Sequence, residues 1–206
     1  YPDEIDEELL NAMARHDNIC KYLDLPLQHA DPLLLKRMNR RGDPEKTRQL
    51  LHRAREMGFT LRTTFIVGFP GETDEQFAHL MGFVREIQFD RLGAFTYSPE
   101  EDTPAARMDG QLPEEIKQKR LDELMSAQQT FSLERNRLRI GTEEKVLVET
   151  VDGKGHGVGR SAQEAPDTDG VIKLTGVSEA DLGQFVRARI TDAEVYDLRA
   201  ERIRED

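Results

Sequence analysis

The sequence has a single cysteine, Cys20, among 206 residues, and no tryptophan. One thiol excludes a disulfide within the chain. It also excludes a cluster held by this chain's cysteines alone, which would need four thiolates. Cys20 precedes an alternating apolar run and is expected to be an inert, buried thiol. No apolar stretch approaches membrane-spanning length, and the acidic opening Tyr1-Pro2-Asp3-Glu4 is unlike a secretory leader, so a cytoplasmic location is expected. An initiator methionine is missing, which leads us to expect a piece excised from a longer protein.

A basic excess is also missing. The net charge is -11, with 20 basic and 25 acidic residues at 1–139 and 9 and 15 at 140–206. Neither part is suited to binding a phosphate backbone through counterion release. The balance leans toward a basic protein partner and against direct nucleic-acid binding. The five histidines show no paired metal spacing, which argues against a zinc site. No Gly-Lys-Ser/Thr follows a glycine turn, and no serine elbow occurs.

What is present reads first as alternating helices and strands. Ile5, Leu9, Ala12 and Met13 share one face of a helix over 3–16. Leu23, Leu25 and Leu27 alternate along a strand over 21–27, with Pro26 near its end because proline cannot donate to a ladder. Asp31-Pro32 and Asp43-Pro44 each place an N-cap acid before a proline at the first helical position. The two helices they open should stop at Gly42 and Gly58. A β-branched run, 61–67, reads as a buried strand. Thr73 and Gln76 then form a capping box for a helix lined by Phe77, Leu80, Met81, Val84 and Ile87. A third strand spans 91–97.

Strands separated by helices imply parallel pairing with right-handed crossovers. Three such strands form an open sheet, part of an α/β barrel rather than a whole one. Pro113 opens a long helical segment reaching about Arg139, with charges on most faces. After Gly141 the pattern changes to five short strands, 145–151, 156–161, 170–175, 184–190 and 195–200, separated by turns such as Asp152-Gly153 and Asp169-Gly170. That spacing predicts a small antiparallel barrel of the OB type. The fold class expected is therefore α/β plus all-β, with domains at 1–139 and 140–206.

Candidate chemistry gathers at the strand ends, where parallel α/β folds place their ligands. Thr64-Phe-Ile-Val-Gly-Phe-Pro-Gly-Glu-Thr73 runs from a strand through a tight turn into a capped helix. Gly68 and Gly71 would let a ligand approach the backbone, although an ordinary βα turn has the same composition. Gln28 and His29 end the first strand, able either to meet a ligand or to satisfy backbone groups. Phe95 and Tyr97 end the third, where an aromatic could lie against a base or fill the interior. Arg62 could hold a carboxylate or be solvated. Glu100-Glu101-Asp102 reads as a solvated loop rather than as catalytic carboxylates, because nothing nearby would raise a pKa.

Taken in order, Tyr22-Leu-Asp-Leu-Pro-Leu-Gln-His29, Leu35-Lys-Arg-Met-Asn-Arg40, the 64–73 run and Phe89-Asp-Arg-Leu-Gly-Ala-Phe-Thr-Tyr-Ser98 resemble the methylthiotransferases of the radical S-adenosylmethionine superfamily. Gly157-Val-Gly-Arg-Ser161 and Asp169-Gly170 resemble a TRAM domain. The resemblance covers nearly the whole chain and is nearest to the branch acting on an aspartate β-carbon of ribosomal protein S-twelve. It implies a transferase that uses S-adenosylmethionine and two 4Fe-4S clusters in its full-length form. Neither cluster would be ligated by this chain, which is expected to be inactive by itself, with no catalytic or metal-ligating residue. The resemblance further implies that Gln28 contacts the ribose or methionine part of the cofactor and that Arg62 holds its carboxylate. Gly68, Phe69 and Glu72 would shape the adenine and ribose pocket, with Phe95 and Tyr97 at its floor. The partner implied is the basic S-twelve protein, with or without the small ribosomal subunit, and an acidic barrel domain would complement it. The alternatives are a part of a tRNA-adenosine methylthiotransferase and a non-catalytic ribosome-associated module.

Overall fold

Leucines at every second position build the first strand of the computed structural model. The model describes residues 2–204; Tyr1 and residues 205–206, the outermost positions of the two expected domains, lie outside it. This strand, β1 (Tyr22–Gln28), buries Leu23, Leu25 and Leu27 on one side and leaves Asp24 and Pro26 exposed on the other. β2 (Thr60–Val67) alternates in the same way, burying Thr63, Phe65 and Val67. β3 (Arg91–Thr96) pairs with β2 in parallel, Thr64 opposite Gly93 and Ile66 opposite Phe95. The sheet order is β1-β2-β3, so proline-bearing β1 is an edge strand. The 61–67 run is thus covered on one face only, because Arg62, Thr64 and Ile66 on the other are half-buried.

Four α-helices lie wholly within this α/β part among the described residues. α1 (Glu7–Ala14) starts at Asp6, whose side chain accepts from the Leu9 amide; the residues before it form a separate turn, Pro2–Glu4. α2 (Pro32–Arg37) and α3 (Pro44–Glu56) are capped by Asp31 and Asp43 as their Asp-Pro openings predict. α2 ends before Gly42 because Asn39 takes the left-handed conformation, φ 54°, and Arg40 N bonds back to Leu35 O at 2.8 Å. α4 (Asp74–Ile87) carries the expected capping box. Phe65 meets Phe83 and Phe89 edge-on at centroid distances of 6.5 and 5.9 Å. Each such buried ring contributes about 1.5–3 kcal/mol by transfer from water. Cys20 is exposed, not buried as expected, because it precedes the strand and its leucine face.

α5 (Glu114–Arg137) is a 24-residue helix. The chain forms two compact units whose division falls within it: Tyr1–Ile19 with Leu23–Gln128, and Cys20–Tyr22 with Gln129–Asp206. The second unit is a closed barrel of β4 (Glu143–Val151), β5 (His156–Arg160), β6 (Ile172–Thr175), β7 (Phe185–Ala193) and β8 (Leu198–Arg202), in the order β4-β5-β6-β8-β7. The β6–β8 pair is parallel and the others are antiparallel. Register shifts at Val148/Thr150 and Ile190/Asp192 bend β4 and β7, as closure of a small barrel requires. The core is Val146, Val148, Ile172, Leu174, Val186, Ile190 and Leu198 with smaller neighbours. Gly159 is forced by proximity, since a Cβ there would sit 2.2 Å from the Leu147 carbonyl oxygen. No helix among the described residues is long and apolar enough to cross a membrane.

Candidate functional site

Parallel sheets usually carry cover on both faces. The uncovered face of β1-β2-β3 is therefore the first place to look for a ligand. It presents Asp24 and Pro26 from β1, Arg62 and Thr64 from β2, and Phe95, 63% exposed, from β3, while Ile66 packs against Leu34, Phe69 and Tyr97. The Arg62 guanidinium donates to the Asp24 carboxylate at 2.5 Å, so a cation and an anion stand side by side on this surface. Such a pair matches the two charged ends of an amino acid. Arg62 lies well down the strand, about 16 Å from Val67 at strand rise.

The second group lies at the carboxyl ends. Gln28, the last residue of β1, is buried with φ 70°, a left-handed conformation uncommon for a side chain of its size. His29 follows, with its Nδ1 accepting the Asp31 amide hydrogen at 3.0 Å. That leaves the neutral ring's proton on Nε2. β2 is followed by Gly68, φ 74°, where a Cβ would lie 2.4 Å from Lys117 Cγ. The close approach that this glycine permits is therefore filled by the α5 lysine.

Glu72 is the hub of this end. Its side chain is fully buried, and Oε2 accepts hydrogen bonds from the amides of Gly68 and, at 3.1 Å, Phe69. Its Oε1 stands 3.4 Å from Arg120 Nη1 and 3.8 Å from His29 Nε2. Arg120 also donates to the Glu72 carbonyl at 3.1 Å and to Asp74 at 2.7 Å. Tyr97 packs edge-on against Phe69 at 5.2 Å, beside Leu34 and Ile66. Its hydroxyl is buried without a hydrogen-bond partner among the described residues. Lys117 Nζ donates to the Tyr97 carbonyl at 3.0 Å and lies 5.6 Å from its ring centroid.

Of the seven residues singled out in the sequence, Gly68, Phe69, Glu72 and Tyr97 form one cluster. Gln28 stands beside it through His29, and Arg62 and Phe95 lie on the open face. Glu72 turns into its own loop. Asp24, Lys117 and Arg120 were not singled out. Asp24 was legible as the polar alternate position in a leucine strand, whereas the two α5 cations carry no local signal.

Comparison with known proteins gives the following. Residues 2–84 match the radical SAM superfamily model and residues 140–203 the TRAM domain model. The chain is 51% identical over 96% of its length to a protein of Syntrophotalea carbinolica named ribosomal protein uS12 methylthiotransferase RimO, covering 44% of it. It is 48% identical over 96% of its length to the protein of the same name from Geobacter sulfurreducens, covering 45% of it. The chain thus spans a little under half the length of these curated relatives. Among solved structures it resembles the coproporphyrinogen III oxidase HemN of Escherichia coli, a radical SAM enzyme. The TM-score is 0.53 at 20% identity, over 92% of this chain and 44% of that one, and this likeness concerns the fold alone.

Proposed function

From the premise that the chain belongs to the radical SAM methylthiotransferase family and carries a TRAM domain, we propose that the whole protein methylthiolates the β-carbon of an aspartate in ribosomal protein uS12. The observation that carries the cofactor half of this reading is the Asp24–Arg62 pair on an uncovered parallel-sheet face. Arg62 would take the carboxylate and Asp24 the ammonium of the methionine part of S-adenosylmethionine. Phe95, exposed on the same face, offers a flat surface to the adenine. The Gln28 amide and the Tyr97 hydroxyl, the latter without a hydrogen-bond partner among the described residues, lie past Phe95 at the strand ends, on the adenine side of this arrangement.

The donor chemistry of these residues fits that cofactor. It does not fit an iron–sulfur cluster, for which one thiol is insufficient, so both 4Fe-4S clusters belong to parts of the whole protein beyond this chain. Bound S-adenosylmethionine supplies the hydrogen-abstracting chemistry and the methyl group. This chain's own residues hold its amino-acid end, face its base and keep the rim turn rigid through Glu72.

The acidic barrel domain is the surface we assign to basic uS12, in the cytoplasm and with no membrane involved. The test uses the natural full-length protein, reconstituted with iron and sulfide and supplied with reductant, S-adenosylmethionine and either uS12 or bulk tRNA. Mass spectrometry is expected to find a methylthio group on one uS12 aspartate and none on tRNA. Modification of tRNA alone would move the protein to the tRNA-adenosine branch, and modification of neither would sink the reading.

A further inference from the structure

In the His29–Glu72 pair two fully buried polar side chains face each other without a hydrogen bond between them. Both side chains have no exposed surface. Neither His29 Nε2 nor Glu72 Oε1 has a hydrogen-bond partner among the described residues. The Nδ1 atom is committed to the Asp31 amide, so the Nε2–H group is the one aimed at the carboxylate, 3.8 Å away. That separation is too long for a hydrogen bond and short enough for a charge–dipole attraction in a dry interior.

The opposite oxygen of the same carboxylate fixes the Gly68 and Phe69 amides. The remaining neighbour of Oε1 is Arg120, which reaches in from α5. Removing one of these two leaves the carboxylate free to swing toward the other, taking the Gly68–Phe69 turn with it.

We propose that His29 is a positioning residue: its Nε2–H group steadies the Glu72 carboxylate and so ties the carboxyl end of β1 to that of β2. It touches no cofactor. Its role rests on the reading of these strand ends as the rim of an S-adenosyl site, where Gln28 and Phe69 must keep a fixed spacing. The composition of Gln28-His29 alone left open whether these residues meet a ligand or serve the backbone. For His29 the structure assigns the second role and adds a partner from the turn that follows another strand.

The test needs no ligand, so it fails or succeeds separately from the functional reading. Nitrogen-15 NMR of the chain is expected to show His29 as the Nε2–H tautomer. Amide exchange at Gly68 and Phe69 is expected to speed up about tenfold in His29→Phe while Phe65, within β2, is unchanged. His29→Gln, whose amide can donate to the same carboxylate, should return both rates to within about threefold of the wild type. An Nδ1–H tautomer overturns the proposal, even where a variant fails to fold. So do unchanged exchange in His29→Phe or an equal rise at Phe65, the latter marking general loosening.

Discussion

Replacing Glu72 by alanine is expected to destabilise the α/β unit by about 3–5 kcal/mol, the usual cost of removing one partner from a buried ion pair. The loss has two sources. The Gly68 and Phe69 amides lose their acceptor in a buried turn, and Arg120, itself buried, loses the more distant of its two carboxylates and keeps Asp74. An unsatisfied buried donor costs about 1–3 kcal/mol, so the two orphaned amides account for most of the total, while Arg120 keeps Asp74 and the residue-72 carbonyl. Glu72→Gln keeps one acceptor oxygen and should cost less. Glu72→Ala combined with Arg120→Met should cost less than the sum of the two single changes, because the attraction between the two side chains is lost in each single variant and only once in the double. Urea unfolding followed through the amide resonances of β2 reads the effect on this unit alone, which matters in a chain of two units.

Arg139→Met is expected to have an effect of similar size in the barrel unit, about 3–5 kcal/mol. The Arg139 fork grips Glu144 through Nε at 2.9 Å and Nη2 at 2.7 Å, and its Nη1 donates to Glu164. Ser161 gives Glu164 two further donors, its amide at 2.9 Å and its hydroxyl at 2.8 Å. Burial alone would raise the Glu164 carboxyl above the ordinary range. The Arg139 charge, with the bonds from Arg139 and Ser161, overrides burial and holds it below its usual value. Burial likewise works to lower the Arg139 pKa, and the bond to Glu144 with the Glu164 charge overrides it, so the guanidinium is held above its ordinary value.

A carboxylate whose folded pKa is depressed contributes stability above its unfolded pKa and loses it as the pH falls through the folded one. The wild-type barrel should therefore weaken below about pH 4.5, the ordinary Glu value. In Arg139→Met the uncompensated Glu164 titrates upward and is relieved by protonation. The deficit of the variant should accordingly narrow as the pH falls, which denaturant titrations at neutral and acid pH will show.

The parts of this molecule that the sequence displays are those set by local chemistry. The alternating leucines of β1, the Asp-Pro caps of α2 and α3 and the Thr73–Gln76 box depend on residues a few positions apart, and each appears where the pattern puts it. The barrel is legible for the same reason, its strands being marked by Asp-Gly turns. The parallel β6–β8 pair was not foreseen, because turn spacing counts strands without fixing which ones close the ring.

The long helix α5 shows the limit most plainly. Its buried positions in the α/β unit are Lys117, Arg120, Leu124 and Gln128, a stripe with no hydrophobic period. The three polar ones serve backbone carbonyls far away in sequence, Lys117 at Tyr97, Arg120 at Glu72 and Gln128 at Phe89. Nothing within a helical window encodes that. Glu72 likewise sits in a motif that reads as ligand-facing, yet its carboxylate is consumed by the two amides three and four residues before it.

The central claim is that the uncovered face of the three-stranded sheet holds an S-adenosyl group, and NMR titration of the chain with S-adenosylhomocysteine at millimolar concentration tests it most directly. The account predicts shifts concentrated at Asp24, Arg62, Thr64 and Phe95, with smaller ones at Gln28 and Tyr97. Saturating ligand that moves none of these resonances, or moves only those of the barrel unit, would contradict it.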